Sequence, residues 1–192
     1  RSATDDDSVA LALDRLMSYL KGAEIIPVSE LLNNKALLFS SVRSSPDVLA
    51  FTMGVAADHV YTHVMSMNIG EQLQQLLVID EAYYVLNSPL AELLVRGVRK
   101  FGLGVIYITQ TITGISNDIL QNIPLIIVLG GNDAYVASVR QALNLTQEDV
   151  RWLTTGLPPH MQGLTAKALL ITGPIKRLIY AELEPSVKGL AQ

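Results

Sequence analysis

Four short apolar runs restrict the possible fold more than any other feature of the sequence. They lie at residues 36–42, 76–80, 104–110 and 125–129. Each is far shorter than the roughly 18 apolar residues of a membrane-spanning helix, so we expect no transmembrane segment in this chain. Stretches with helical spacing separate the runs. Continuous apolar strands that alternate with helices are typical of an α/β domain with a mostly parallel sheet, buried on both faces.

Local signals predict the remaining elements. Residues 167–172 and 177–184 flank Gly173-Pro174, which favours a C-terminal antiparallel β-hairpin. Helices are predicted at residues 46–67, where Pro46 suits the first helical position, and at about 89–101. Shorter helices are predicted after capping residues. These caps are Ser116, Asn132 or Asp133, and Thr146 of a Thr-Gln-Glu-Asp capping box.

Composition excludes several classes of protein. The chain has 192 residues, 17% of them charged, a net charge of −4 and no cysteine. Low charge and high aliphatic content exclude a disordered chain. The absence of cysteine excludes a disulfide scaffold, a zinc ribbon and a thiol nucleophile, and it fits a reducing compartment. An acidic chain without a basic stripe is also a poor nonspecific binder of nucleic acid.

Asp80 and Glu81 carry the strongest chemical signal. Four apolar residues precede them, so the acids come at the carboxyl end of a strand, where open α/β sheets bind ligands. In P-loop NTPases an aspartate at this place holds Mg²⁺, commonly through water, and the adjacent glutamate polarises the attacking water. The alternative is that the two acids are simply solvated or cap the next helix.

Three further residues follow at short distance along the chain. Gln110 ends the next apolar run, where an amide could report the nucleotide state through a hydrogen bond. Arg99 and Arg96 could stabilise a phosphoryl transition state, as an arginine finger does. For Gln110 the alternative is a polar residue that opens a loop. For each arginine it is a solvated basic helix end, which the helix dipole favours.

Three segments together resemble the C-terminal half of the HerA/FtsK superfamily of DNA-pumping ATPases. They read LLVIDEAYYVL, LVRGVRKFGLGVIYITQT and ISNDILQNIPLIIVLGG. They are similar to the Walker B strand, the arginine helix with its RKFGLG exit, the sensor strand ending in Thr-Gln, and the segment after it. The resemblance covers about residues 36–185 and extends equally to the ATPases of conjugation and type IV secretion.

The resemblance implies a partial RecA-like P-loop core that uses ATP and Mg²⁺. It implies that Asp80 binds Mg²⁺, Glu81 is the catalytic base, Gln110 is the sensor, and Arg99, or else Arg96, is a finger supplied in trans. It also implies a hexameric ring, a DNA or DNA–protein substrate, and a nuclease or secretion-machinery partner. The implied location is cytoplasmic, or peripheral at the inner face of the membrane for a secretion ATPase.

One departure from the superfamily concerns the phosphate-binding loop. No segment of this sequence matches G-x-x-x-x-G-K-[ST]. We therefore expect either the C-terminal part of a longer ATPase or a non-catalytic assembly module that has lost nucleotide binding. In both cases this chain alone should be inactive. The expected divisions are an N-terminal helical segment at 1–35, the ATPase part at 36–185 and a tail at 186–192.

Overall fold

A computed structural model describes residue 14 and residues 46–67, 72–157 and 165–182. The predicted strand at 36–42 and the predicted divisions at 1–35 and 186–192 lie outside the described residues, except for Asp14. The chain divides into two compact units. The first comprises residues 1–74 and 98–103, and the second comprises residues 75–97 and 104–192.

Twelve elements follow one another in the described part of the chain. In chain order they are α1 (Pro46–Ser66), β1 (Gln75–Ile79), α2 (Tyr83–Leu86), α3 (Leu90–Arg96), a 3-10 helix (Arg99–Phe101), β2 (Leu103–Tyr107), α4 (Asn117–Asn122), β3 (Ile126–Leu129), α5 (Asp133–Leu143), α6 (Gln147–Thr154), β4 (Thr165–Thr172) and β5 (Ile175–Glu182). The mixed α/β class is confirmed. No helix among these described segments is both long and apolar enough to cross a membrane.

Strands β1 and β2 form a parallel pair, as predicted. The backbone N–H of Gln74 donates to the carbonyl of Gly102, and the N–H of Ile108 donates to the carbonyl of Ile79, each at 2.8 Å. Because residue numbers rise together along both strands, the strands run in the same direction. Their carboxyl ends therefore lie at one edge, and this edge positions the candidate site.

Strands β3, β4 and β5 form a second sheet, which is antiparallel. The hairpin β4–β5 is confirmed, with Leu169 opposite Leu178 across the pair. The expectation that the run at 125–129 is a parallel strand is wrong for the described pairing, because Val128 of β3 lies opposite Leu169 of β4 in antiparallel register. An apolar run shows that a segment is a buried strand, but the direction of its partner depends on how the chain returns.

Helices α5 and α6 build the core of the second unit against this antiparallel sheet. The indole N–H of Trp152 on α6 donates to the carbonyl of Ala168 on β4 at 3.1 Å. Asn132 caps α5, and the capping box of Thr146 and Asp149 opens α6, both as predicted. The buried members of this core are Val128, Val136, Val139, Leu145, Leu153 and Leu169.

Two further expectations are corrected by the structure. The helix predicted at 89–101 ends at Arg96, because Gly97 weakens the helix interior; a separate 3-10 helix follows and closes at Gly102, whose φ is 75°. Burial of the strands on both faces is also wrong. Leu76 and Val78 of β1 are 55% and 52% exposed, whereas Ile79 is buried. Apolar length identifies a strand, but its neighbours decide which face is covered.

Candidate functional site

The acid pair lies in a tight turn at the end of β1. Asp80 and Glu81 directly follow Ile79, and the backbone of Ile108 brackets them. The N–H of Ile108 donates to the carbonyl of Ile79, and the carbonyl of Ile108 accepts from the N–H of Ala82, both at 2.8 Å. The turn is therefore hydrogen-bonded on both sides of the acids to the chain that continues from β2.

Glu81 has a left-handed backbone conformation with a φ of 51°. In this region a non-glycine residue crowds its Cβ against the following carbonyl oxygen, at a cost of about 1–2 kcal/mol. The N–H of Glu81 donates to Oδ1 of Asp80 at 2.9 Å, which helps to hold the turn. Backbone strain of this kind clusters at active sites and switches, where the surrounding structure maintains it.

Gln110 joins the acid pair from the neighbouring segment. Its side-chain Nε2 donates to Oε1 of Glu81 at 2.7 Å. Asp80, Glu81 and Gln110 thus lie together at the carboxyl edge of the parallel pair, where the sequence placed all three. Because a carboxylate has further acceptor positions, Glu81 and the exposed Asp80 can each bind another group while these two bonds persist.

The interpretation of the acids as a helix cap is wrong. The next helix, α2, begins at Tyr83 with Ala82 as its N-cap. No side chain caps this helix, and its first turn contains no acidic residue. The sequence patterns also predict no helix at residues 83–86. The acids therefore do not satisfy the backbone of α2, and their side chains extend from the turn.

The two arginines occupy different settings. Arg96 is an exposed residue in the last turn of α3, where a cation complements the helix dipole. Arg99 is an exposed residue that begins the 3-10 helix in the first unit. Within the described segments neither guanidinium forms an ion pair. The role of each arginine remains a prediction.

Two threonine hydroxyls, to which the sequence analysis assigned no role, order the segment of Gln110. The hydroxyl of Thr109 donates to the carbonyl of Thr111 at 2.9 Å and accepts from the N–H of Thr111 at 3.3 Å. The hydroxyl oxygen of Thr111 accepts from the N–H of Thr113 at 3.2 Å. The spacing Thr-Gln-Thr-x-Thr is the signal that could have indicated such turns, since threonine hydroxyls readily bond the backbone two residues away.

Tyr107 lies just before this segment and is unsuited to proton transfer. Its hydroxyl is buried and has no hydrogen-bond partner among the described residues. Burial raises the pKa of Tyr107 far above its ordinary value. The ionisable groups that remain available at the edge are the carboxylates of Asp80 and Glu81.

The donor set fits Mg²⁺ better than a metal held wholly by protein. The described residues contain no group of three or more histidine, aspartate or glutamate side chains placed to hold a metal ion. Zinc sites need three or four protein ligands, whereas Mg²⁺ keeps several waters and takes one or two carboxylates together with substrate phosphates. A single exposed carboxylate such as Asp80 is sufficient for that role.

Similar folds occur among solved protein structures. No protein-family model and no curated protein sequence matches this chain. The structure of VirB4 from Thermoanaerobacter pseudethanolicus is similar, with a TM-score of 0.58 and 14% identity over 76% of this chain. Over the part that is covered, the chain shares the α/β fold of the VirB4 structure. It spans only 40% of the VirB4 chain.

A second group of similar structures comes from a virus. The genome packaging NTPase B204 of Sulfolobus turreted icosahedral virus 2, in complex with ATP-γ-S, has a TM-score of 0.53 and 15% identity. Its complex with sulfate has a TM-score of 0.54 and 16% identity. Both matches cover 84% of this chain and 74% of the viral chain. At such identities the similarity establishes the fold and leaves the activity to be argued from the site.

Proposed function

We propose that this chain supplies the Walker B and sensor half of an ATP-hydrolysing motor. The observation that carries the proposal is the bond between Gln110 and Glu81 beside Asp80, at the carboxyl edge of two parallel strands. This edge is where α/β sheets bind their ligands. The left-handed backbone of Glu81 adds support, because a chain maintains such strain where a side chain must be aimed.

Each of the three residues has a distinct task in the proposed site. Asp80 would hold Mg²⁺, mostly through water, and the ion would there supply positive charge to offset that of the phosphates. Glu81 orients and deprotonates the attacking water, a role for which a carboxylate fixed by a hydrogen bond is suited. Gln110 contacts Glu81 directly and so senses whether the base is engaged.

The arginine and the ring belong to the same proposal. Arg99 reaches the γ-phosphate of a neighbouring subunit as a finger in trans, with Arg96 as the alternative. Exposure of both guanidiniums supports this role, because a residue that serves a neighbour must be accessible on its own subunit. A finger in trans needs a second subunit that presents it, and we propose that identical subunits supply it in a hexameric ring.

The proposed cargo is DNA, as in the HerA/FtsK type of translocase. The similarity to a genome packaging NTPase supports this choice, and the similarity to VirB4 favours a second candidate, a conjugation or type IV secretion ATPase that moves protein or a DNA–protein complex. The absence of G-x-x-x-x-G-K-[ST] from the sequence keeps the assembly module as the non-catalytic alternative. A nuclease or secretion apparatus would be the partner of the motor.

The test compares two charge-neutralising variants in a longer protein that carries this sequence together with a phosphate-binding loop. Glu81→Gln should still bind ATP but hydrolyse it at least about 100-fold more slowly, since general base catalysis contributes about 10²–10⁴-fold. Glu92→Gln, at an exposed glutamate on α3, is the matched control and should retain full turnover. Undiminished hydrolysis by Glu81→Gln would remove Glu81 from the proposed role. Failure of the wild type to bind ATP would favour the assembly module.

A further inference from the structure

The position of Gln110 is set by hydrogen bonds of the residues that flank it. On one side Ile108 is joined to Ile79 and Ala82 across the end of the parallel pair. Next to it, the hydroxyl of Thr109 donates to the carbonyl of Thr111 and accepts from the N–H of Thr111, so the two threonines enclose Gln110. Gln110 is therefore the middle residue of a small ring closed by a side chain. We call residues 109–114 the sensor loop.

The far end of the sensor loop is also held. Gly114 has a φ of 88°, and a Cβ built on it would lie 3.6 Å from Oδ1 of Asn87 and 3.8 Å from the hydroxyl oxygen of Tyr83. The next residue, Ile115, is buried, and its N–H donates to the carbonyl of Ile112 at 3.2 Å. The ring around Gln110 therefore lies between the end of the parallel pair and the buried Ile115, and it determines where the glutamine side chain starts.

We propose that Thr109 is the positioning residue that holds Gln110 within reach of Glu81. This inference rests on the proposed function, in which Glu81 and Gln110 are the base and the sensor. A glutamine side chain has three rotatable bonds, so a bond to Glu81 needs a fixed backbone origin to offset the lost rotamer freedom. The hydroxyl of Thr109 closes the ring through two bonds at once, because one oxygen atom both donates and accepts.

The proposal predicts that the Thr109 hydroxyl controls the coupling between Gln110 and Glu81. The coupling is measured by a double-mutant cycle of Gln110→Ala and Glu81→Ala in urea unfolding of the nucleotide-free 192-residue chain. In the wild-type background one such bond should change the unfolding equilibrium constant by about threefold to tenfold beyond additivity. With Thr109→Val, which keeps the shape but removes the hydroxyl, this factor should fall to about one.

Two companion variants separate positioning from a general effect on stability. Thr109→Ser retains the hydroxyl and should restore the coupling. Thr113→Val removes a hydroxyl from the same loop, where the backbone N–H of Thr113 and not its side chain makes the bond to Thr111, and should leave the coupling unchanged. If Thr109→Val does not fold, Thr109→Ala is used in the same cycle. The loss of coupling should also move the NMR chemical shifts of the Gln110 side-chain amide protons toward those of a free glutamine side chain.

The outcomes distinguish this inference from the proposed function. Loss of coupling in Thr109→Val with retention in Thr109→Ser and Thr113→Val supports the positioning role, whether or not the protein hydrolyses ATP. Full coupling in Thr109→Val, with an unchanged Gln110 amide signal, overturns it even if Glu81→Gln proves catalytically dead. Equal loss in Thr113→Val also overturns it, because the effect would then belong to the loop as a whole.

Discussion

The side-chain amide of Gln110 donates a 2.7 Å hydrogen bond to the carboxylate of Glu81, although 29 positions separate the two residues in the chain. The bond forms because β1 and β2 are parallel neighbours, so the residues that follow them meet at one edge. The hydrogen bond to the carboxylate and the strained backbone that carries it both support the proposal that Glu81 has a chemical task. Four predictions examine this site and the unit that supports it.

The first prediction concerns the backbone strain at Glu81. Because φ is 51°, glycine should be more stable than alanine at this position by about 1 kcal/mol. At Glu92 in helix α3 the order should reverse, with alanine more stable by about 1 kcal/mol. The free energies of unfolding of the four variants measure both differences. The same order at both positions would contradict the left-handed conformation of Glu81.

The second prediction tests whether Arg99 acts in trans. Arg99→Ala in the longer, loop-containing protein should bind ATP-γ-S normally but hydrolyse ATP about 1,000-fold more slowly, the effect expected for an arginine finger. Mixed rings of Arg99→Ala and Glu81→Gln should regain part of the activity, since some interfaces then combine an intact base with an intact arginine. Arg140→Ala, at an exposed residue of α5, is the control. Absence of recovery at every mixing ratio argues against a finger from a neighbour.

The third prediction concerns the pH dependence of stability through Asp149. Burial alone would raise the pKa of this carboxyl, but hydrogen bonds from Thr146 and the charge of Lys176, at 3.4 Å, lower it below its ordinary value. A group with a depressed folded pKa stabilises the fold above its unfolded pKa, about 3.9, and loses that contribution as pH falls through the folded value. Asp149→Asn should therefore destabilise by about 1–2 kcal/mol at pH 7, the scale of a capping interaction.

Urea unfolding at pH 7 and pH 3 measures this difference. The gap between wild type and Asp149→Asn should narrow at the lower pH, because protonation of Asp149 removes the same charge that the substitution removes. Glu148→Gln serves as the control, since Glu148 is an exposed acid in the same first turn of α6. A gap of equal size at both pH values would show that the charge of Asp149 contributes nothing.

The fourth prediction concerns the close approach of the chain after β3. A Cβ on Gly130 would lie 2.9 Å from the carbonyl oxygen of Leu153. Because this oxygen belongs to the backbone, no side-chain rotation can relieve the contact. Gly130→Ala should therefore destabilise by about 1–3 kcal/mol, the usual cost of overpacking. Gly156→Ala is the control, because no atom lies within 4 Å of the added Cβ, and it should be neutral or slightly stabilising. Thermal unfolding of both variants measures the difference. An unchanged melting temperature for Gly130→Ala would contradict the prediction, because it would show that residue 130 and Leu153 can move apart at no cost in stability.

Several features of the candidate site were predictable because their signals are local. The four apolar residues before Asp80 place the acids at a strand end, and the run before Gln110 does the same for the amide. The capping box of Thr146 and Asp149 is likewise written in four consecutive residues. The ring of Thr109 around Gln110 was missed, because two threonines near a glutamine also occur in loops that form no such bonds.

The sequence by itself determined most of the described strands and helices, and which residues end β1 and β2, since apolar periodicity, caps and glycines act within a few positions. Only the tertiary structure decided the partners. It paired β3 antiparallel with β4, left exposed the face of β1 that carries Leu76 and Val78, and brought Gln110 next to Glu81. These outcomes depend on contacts between residues far apart in the chain, whose free energies no local pattern contains. The strained φ of Glu81 is of the same kind, because the bonds that Ile108 makes on both sides of the turn hold it.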